Sequence, residues 1–199
     1  MKRIALIALL LLMLPAGAGA TATAKSFTSL IYDPGKLKPI DSTLKIAPGD
    51  KAPDFTLRSV KGDTVTLSSY RHKQNVVISF VPAAWTPVCS DQWPGYNIAK
   101  TFFTKHDAVL LGITVDNIPT LHAWTQQMGE LWFDVLSDFW PHGAVAESYG
   151  VLRSDGTSER ALIFIDREGM INSVHISDIN IRPSLETVVA GLENLDKGR

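Results

Sequence analysis

Apolar and polar positions fall into blocks along this chain, and the length and period of each block predict an element. Residues 76–81 form an almost unbroken apolar run rich in β-branched and aromatic side chains, which suits a strand buried on both faces. Residues 108–115 repeat that pattern. Residues 55–57 and 64–67 are shorter strands separated by the turn Lys61-Gly62-Asp63, and residues 161–166 and 170–175 form a hairpin through Arg167-Glu168-Gly169. Between these runs the period lengthens. Residues 89–106 space Trp93, Ile98, Phe102 and Phe103 as a helix does, with Pro94 predicting a kink or an irregular first turn. Asn117-Ile118-Pro119 opens a second helix with Leu121, Trp124 and Met128 on one face. Residues 132–136 are a short apolar stretch, after which Ser137-Asp138 caps a helix running to Tyr149 and ending at Gly150. The last helix follows Pro183 and carries Leu185, Val188, Val189, Leu192 and Leu195 along one stripe.

Strand and helix alternate through the middle and a hairpin closes the order. This predicts an α/β protein whose central mixed sheet is parallel in its middle, with helices on both faces. Cys89 then lies at the carboxyl end of a central strand, where open α/β sheets place their sites.

The two ends read differently. Met1-Lys2-Arg3 is a basic start, residues 4–14 are apolar, and Pro15-Ala-Gly-Ala-Gly-Ala20 supplies small residues suited to cleavage. Residues 1–20 are therefore expected to be a signal peptide and the protein to be exported, periplasmic or secreted. A membrane anchor is the competing reading, but the apolar run falls short of the ~20 residues that span a bilayer. No cysteine follows the run to carry a lipid anchor. Residues 21–45 show no clean period and contain Asp33-Pro34-Gly35 and Pro39, so an extended arm is expected, followed by one domain over 46–199.

Composition narrows the function. The 199 residues are 45% hydrophobic and 20% charged, with a formal net charge of -1. Removing residues 1–20 takes two of 19 basic and none of 20 acidic residues, which leaves -3. Neither value suggests a grip on nucleic acid or anionic lipid. The five histidines have no metal-ligand spacing, and there is no Gly-rich phosphate loop, no G-x-S-x-G and no H-E-x-x-H. No metal and no bound cofactor is expected. His142 alone merits watching, against the plainer reading of a surface or helix-cap histidine.

Cys89 is the single cysteine, so an internal disulfide is impossible. In an oxidising compartment one cysteine means a reactive thiol, an intermolecular partner or an inert buried residue. Its place at a helix start, with free N–H groups and the positive dipole end, favours the thiolate. No basic residue lies near it in sequence, so any supporting cation must come from elsewhere in the fold. Thr86 and Ser90 are hydroxyls within reach; Thr86 and Pro87 also read as ordinary turn residues.

The spacing Pro82-x-x-x-Thr86-x-x-Cys89 resembles the active-site signature of peroxiredoxins, cysteine-based peroxidases of the alkyl hydroperoxide reductase and thiol-specific antioxidant type. The likeness extends to Gly49-Asp-Lys-Ala-Pro-Asp-Phe-Thr-Leu57, to Leu136-Ser-Asp-Phe-Trp-Pro-His-Gly-Ala144 with Tyr149-Gly150-Val151, and to Arg160-Ala-Leu-Ile-Phe-Ile-Asp166. It covers about residues 46–195 in order. The resemblance implies a thioredoxin-like fold and a thiol-dependent peroxidase acting on hydrogen peroxide or organic hydroperoxides. Cys89 would attack the peroxide and become a sulfenic acid. Thr86 would align the peroxide, Arg160 would be the missing cation, and Pro82 would shield the sulfur from water. A homodimer is expected by the resemblance alone.

Two departures stand out. Gln92 occupies a position where many members carry an acid, which is expected to weaken a supporting hydrogen-bond network. No second cysteine can resolve the sulfenic acid, so the reductant must be an external thiol, small or protein-borne. Two other functions remain open on the sequence: a redox sensor or relay that passes its oxidation to a partner protein as a mixed disulfide, and a non-catalytic thioredoxin-like binding module.

Overall fold

A computed structural model describes residues 25–197; the expected signal peptide lies outside the described residues. The strands are β1 Thr56–Ser59, β2 Thr64–Thr66, β3 Asn75–Phe80, β4 Ala108–Thr114, β5 Asp134–Ser137, β6 Arg160–Ile165 and β7 Ile171–Ser177. The helices are α1 Pro87–Gly95, α2 Lys100–Lys105, α3 Ile118–Met128, α4 Ala144–Tyr149 and α5 Leu185–Lys197. One seven-stranded sheet runs in the order β2-β1-β5-β4-β3-β6-β7. Its centre, β5-β4-β3, is parallel, and β6-β7 on one side and β1-β2 on the other pair antiparallel.

All six residues of β3 and of β6 are buried, as continuous apolar runs require when both sheet faces are covered. Alternate side chains feed two cores. Val76, Ile78, Phe80, Ile163 and Ile165 pack with Ala146 and Tyr149 of α4 on one face. Val77, Leu162 and Phe164 pack with Trp93, Phe103, Leu121, Trp124 and Leu192 on the other, so α1, α2, α3 and α5 share that face. Helices thus lie on both faces of a thioredoxin-like sheet, unequally. Gly112 of β4 makes room there, because a Cβ on it would sit 2.9 Å from the Trp93 ring.

Two predicted helices are shorter in the structure. The block 89–106 is split into α1 and α2. Pro94 has no N–H to continue the α-helical ladder, and residues 96–99 are linked by tighter bonds back to 93–96. The helix expected from Ser137 begins only at Ala144. Ser137 is held in β5 opposite Thr114, and residues 139–143 form a turn containing a cis Trp140–Pro141 bond. Asp138 still caps α4: its carboxylate accepts from the Val145 and Ala146 N–H groups at 3.1 and 2.9 Å. The opening segment 49–57 begins in a turn at residues 48–50, and its strand starts at Thr56.

The described part of the arm, residues 25–45, contains one short 3-10 turn, Phe27–Leu30. It is nonetheless fastened along its length. The Tyr32 N–H donates to the Trp85 carbonyl at 2.8 Å, and the Ile179 N–H donates to the Pro39 carbonyl at 3.1 Å. The Asn180 amide makes a reciprocal pair with the Leu37 N–H and carbonyl, both at 2.9 Å. The Asp41 N–H donates to Glu159 at 2.6 Å, and Arg153 donates to the Lys38 carbonyl at 2.9 Å.

Candidate active site

The loop leaving β3 turns sharply into α1. Trp85 has φ near 60°, left-handed backbone that is unusual for a bulky residue and is held by the Tyr32 hydrogen bond and an edge contact with Phe27. Thr86 precedes the helix in extended conformation and Pro87 fills the first turn, where a missing N–H costs nothing. Cys89 therefore lies in the first turn of α1, two residues later than a helix opening at the cysteine itself. Its N–H is still among the donors a helix start leaves free. The cysteine is 1% exposed, yet it lines the floor of a cleft of about 670 Å³.

Tertiary structure supplies the cation. Arg160, at the start of β6 and also 1% exposed, places Nη2 3.5 Å from Cys89 Sγ. The guanidinium is aimed by three further bonds. Nε and Nη2 donate to the Ile179 carbonyl at 3.1 and 2.9 Å, and Nη1 donates to Gln92 Oε1 at 2.5 Å. Gln92 in turn donates to Ser79 Oγ at 3.2 Å and to the Tyr96 hydroxyl at 2.8 Å. Burial pushes the Tyr96 phenol above its ordinary value, so it serves as a neutral hydroxyl. Gln92 thus keeps an acceptor on the arginine where many members carry an acid, and the bond it makes lacks the carboxylate's charge. Among the described residues no carboxylate lies within ion-pair distance of Arg160, and the more distant Asp178 is held below its ordinary value by hydrogen bonds from Asn180 first and by the Arg160 charge among the smaller causes.

The local motif Pro82, Thr86 and Cys89 and the sequence-distant Arg160 line one cleft. The Thr86 hydroxyl donates to the Ala83 carbonyl at 2.9 Å, which leaves its oxygen lone pairs as acceptors for a substrate O–H. Pro82 is buried and lines the same cleft as Cys89. Ser90 is not part of this group, because its hydroxyl accepts from the Trp124 indole at 3.0 Å. His142 is exposed and bonds the Gly156 carbonyl at 2.7 Å, outside the cleft lining. Trp85 and Trp140 do not line the cleft either.

Residues 48–174 match the model of the AhpC/TSA family. The chain is a peroxiredoxin. It is 40% identical over 124 residues to alkyl hydroperoxide reductase E of Mycobacterium tuberculosis, covering 62% of this chain and 80% of that protein. It is 31% identical over 159 residues to a chloroplastic 2-cysteine peroxiredoxin of Chattonella marina, covering 75% and 80%. The reduced 2-Cys peroxiredoxin of Plasmodium vivax superposes with a TM-score of 0.71 at 25% identity, over 76% of this chain and 83% of that one. Mycobacterium tuberculosis AhpC does so with 0.68 at 22%, over 77% and 95%. The peroxiredoxin is thus an enzyme, a thiol-dependent peroxidase.

Sequence reasoning did not assign several parts of the site, although some of them carried a signal. Ser79 had a signal, as the polar interruption in the run 76–81, and Gln92 had one as the residue a helical turn after Cys89. The Ile179 carbonyl had none, since any residue carries one. The arm had none either, for the bonds that set residues 32–39 beside the cleft run through its backbone groups.

Proposed function

We propose that this peroxiredoxin reduces hydrogen peroxide or organic hydroperoxides by a one-cysteine cycle, with Cys89 as the nucleophile. The observation that carries this reading is the Arg160 guanidinium 3.5 Å from the buried sulfur, at the floor of an open cleft. The Cys89 thiolate attacks the terminal oxygen of R–O–OH, an S–O bond forms and the O–O bond breaks. Sulfur is oxidised by two electrons to the sulfenic acid, and the alkoxide leaves and takes a proton to become ROH. Thr86 accepts from the peroxide O–H and aligns the O–O bond with sulfur. Arg160 holds the negative charge as it passes from sulfur to the departing oxygen, a transfer best served by a fixed, dry donor. Pro82 keeps bulk water from the sulfur.

Cys89 has no second cysteine in the chain to condense with. A first external thiol therefore forms a mixed disulfide and releases water, and a second regenerates the Cys89 thiol. Residues 1–20 support export, which assigns the cycle to an oxidising compartment. A homodimer belongs to this reading on family grounds.

The test is rapid mixing of the reduced protein with hydrogen peroxide, followed by tryptophan fluorescence and by mass spectrometry of the Cys89 peptide. Fast stoichiometric sulfenic acid in the wild type and none in Cys89→Ser is the expected result. A wild-type rate no greater than a free thiol's overturns the reading. Trapping of one preferred protein thiol, with no turnover on small thiols, points instead to a redox relay.

A further inference from the structure

Two of the three guanidinium nitrogens of Arg160 hang on one neutral backbone oxygen, that of Ile179. Ile179 lies past the end of β7, in a turn closed by the Ile181 N–H on the Asp178 carbonyl at 2.9 Å. Among the described residues no strand pairs with this turn. A fork held by a carbonyl is only as well aimed as the peptide that carries the carbonyl.

The arm holds that peptide. The Ile179 N–H donates to the Pro39 carbonyl at 3.1 Å, on the other side of the residue whose carbonyl takes the arginine. Asn180 makes the second anchor. Its Oδ1 accepts from the Leu37 N–H and its Nδ2 donates to the Leu37 carbonyl, both at 2.9 Å. The Asn180 N–H and Nδ2 also close the turn on itself, donating to Asp178 Oδ1 at 2.8 and 2.7 Å. The arm is fixed in its turn, because the buried ion pair Arg153–Glu159 bonds the Lys38 carbonyl and the Asp41 N–H. Arm residues 32–37 line the same cleft as Cys89. The arm precedes the family-matched segment 48–174 and residues 178–180 follow it, so the staple joins two segments outside the match.

We propose that Asn180 is a positioning residue for Arg160: by stapling the arm to the turn 178–180, it holds the Ile179 carbonyl where that carbonyl points the guanidinium at Cys89 Sγ. The inference rests on the peroxidase reading for the reaction it serves. Asn180 acts through the arginine, whose Nη2 is 3.5 Å from the sulfur. Without the staple, Gln92 still takes Nη1 and Pro39 still takes the Ile179 N–H. The guanidinium is then misaimed but not lost, so the effect is a fraction of what removing it costs.

The experiment measures the second-order rate constant of the reduced full chain with hydrogen peroxide by rapid mixing, and the pH profile of Cys89 alkylation by iodoacetamide. Asn180→Ala should lower the peroxide rate constant by about three- to tenfold. Its alkylation profile should move to higher pH, because a misaimed cation favours the thiolate less. A loss of stability alone moves neither readout in the folded protein. In an Arg160→Met background the same change should alter the rate constant by less than about twofold, since the group that Asn180 aims is gone. Circular dichroism checks each fold. Asn180→Ser, whose hydroxyl is too short to hold both Leu37 groups, decides the matter if Asn180→Ala does not fold. An unchanged rate constant and alkylation profile in the folded variant, or an equal loss with and without the guanidinium, overturns the positioning role alone. A wild-type Cys89 inert to peroxide overturns the peroxidase reading and the positioning role with it.

Discussion

Replacing Arg160 by Met separates the arginine's charge from its bulk. The change keeps an unbranched buried side chain and removes the guanidinium 3.5 Å from Cys89 Sγ. Two unit charges at that distance attract by ~5 kcal/mol at an effective dielectric near 20. Delocalisation over the guanidinium lowers this, and a hydrogen bond to a charged group sets a floor of about 1.5 kcal/mol. Negative charge moves from sulfur to the departing oxygen but stays beside the guanidinium, so most of the attraction survives into the transition state. The rate constant for peroxide at neutral pH should therefore fall by about 10- to 1,000-fold. The assay is rapid mixing of the reduced variant, read by tryptophan fluorescence. Stability should fall as well, because the Ile179 carbonyl and Gln92 Oε1 lose their donors at about 1–3 kcal/mol each. Arg160→Lys restores charge without the fork and should recover part of the rate. A loss below about threefold in a folded Arg160→Met variant would refute the reasoning, as would Arg160→Lys no faster than Met.

Three further outcomes are expected. Gly191→Ala puts a Cβ 2.2 to 2.6 Å from the Phe164 ring where α5 crosses β6, and overpacking should cost about 1–3 kcal/mol in denaturant unfolding despite alanine's better helix propensity. Glu159→Gln removes the buried carboxylate of Arg153 and leaves it only the half-exposed Asp155 at 3.5 Å, which should cost about 1–3 kcal/mol, whereas the double variant Arg153→Met with Glu159→Gln should cost less. Asp41 is held below the usual carboxylate range by hydrogen bonds from Lys38 and then Ser154. A lowered value means its contribution is complete above the unfolded carboxyl value of about 3.9 and is lost as pH falls through the folded one. Proteolytic cutting of the arm should thus stay constant from neutral pH down to about pH 4 and rise in Asp41→Asn throughout that range.

Much of this protein was legible from side-chain pattern alone. Residues 76–81, apart from Ser79, and residues 161–165 are apolar and rich in β-branched and aromatic side chains, which suits a strand covered on both faces, and the hairpin 161–175 announced itself by its turn. The motif Pro82, Thr86 and Cys89 is local, so its geometry follows from one loop entering one helix. Helix lengths were less legible, because Pro94 and the pairing of Ser137 in the sheet act through backbone hydrogen bonds that a hydrophobic period does not record. Arg160 could be named from resemblance, but its distance from Cys89 depends on β6 lying beside β3, a pairing across the chain. Gln92 could be singled out in sequence as a departure from an acid, but that its oxygen accepts from Arg160 follows only from the packing of α1 against β6. Sequence by itself determined the strands, the candidate nucleophile and the single cysteine, because these are properties of residues and their neighbours. Only the tertiary structure decided that an aperiodic arm walls the cleft and that the Ile179 carbonyl aims the arginine. Backbone groups make those bonds, and every residue presents a carbonyl whatever its side chain.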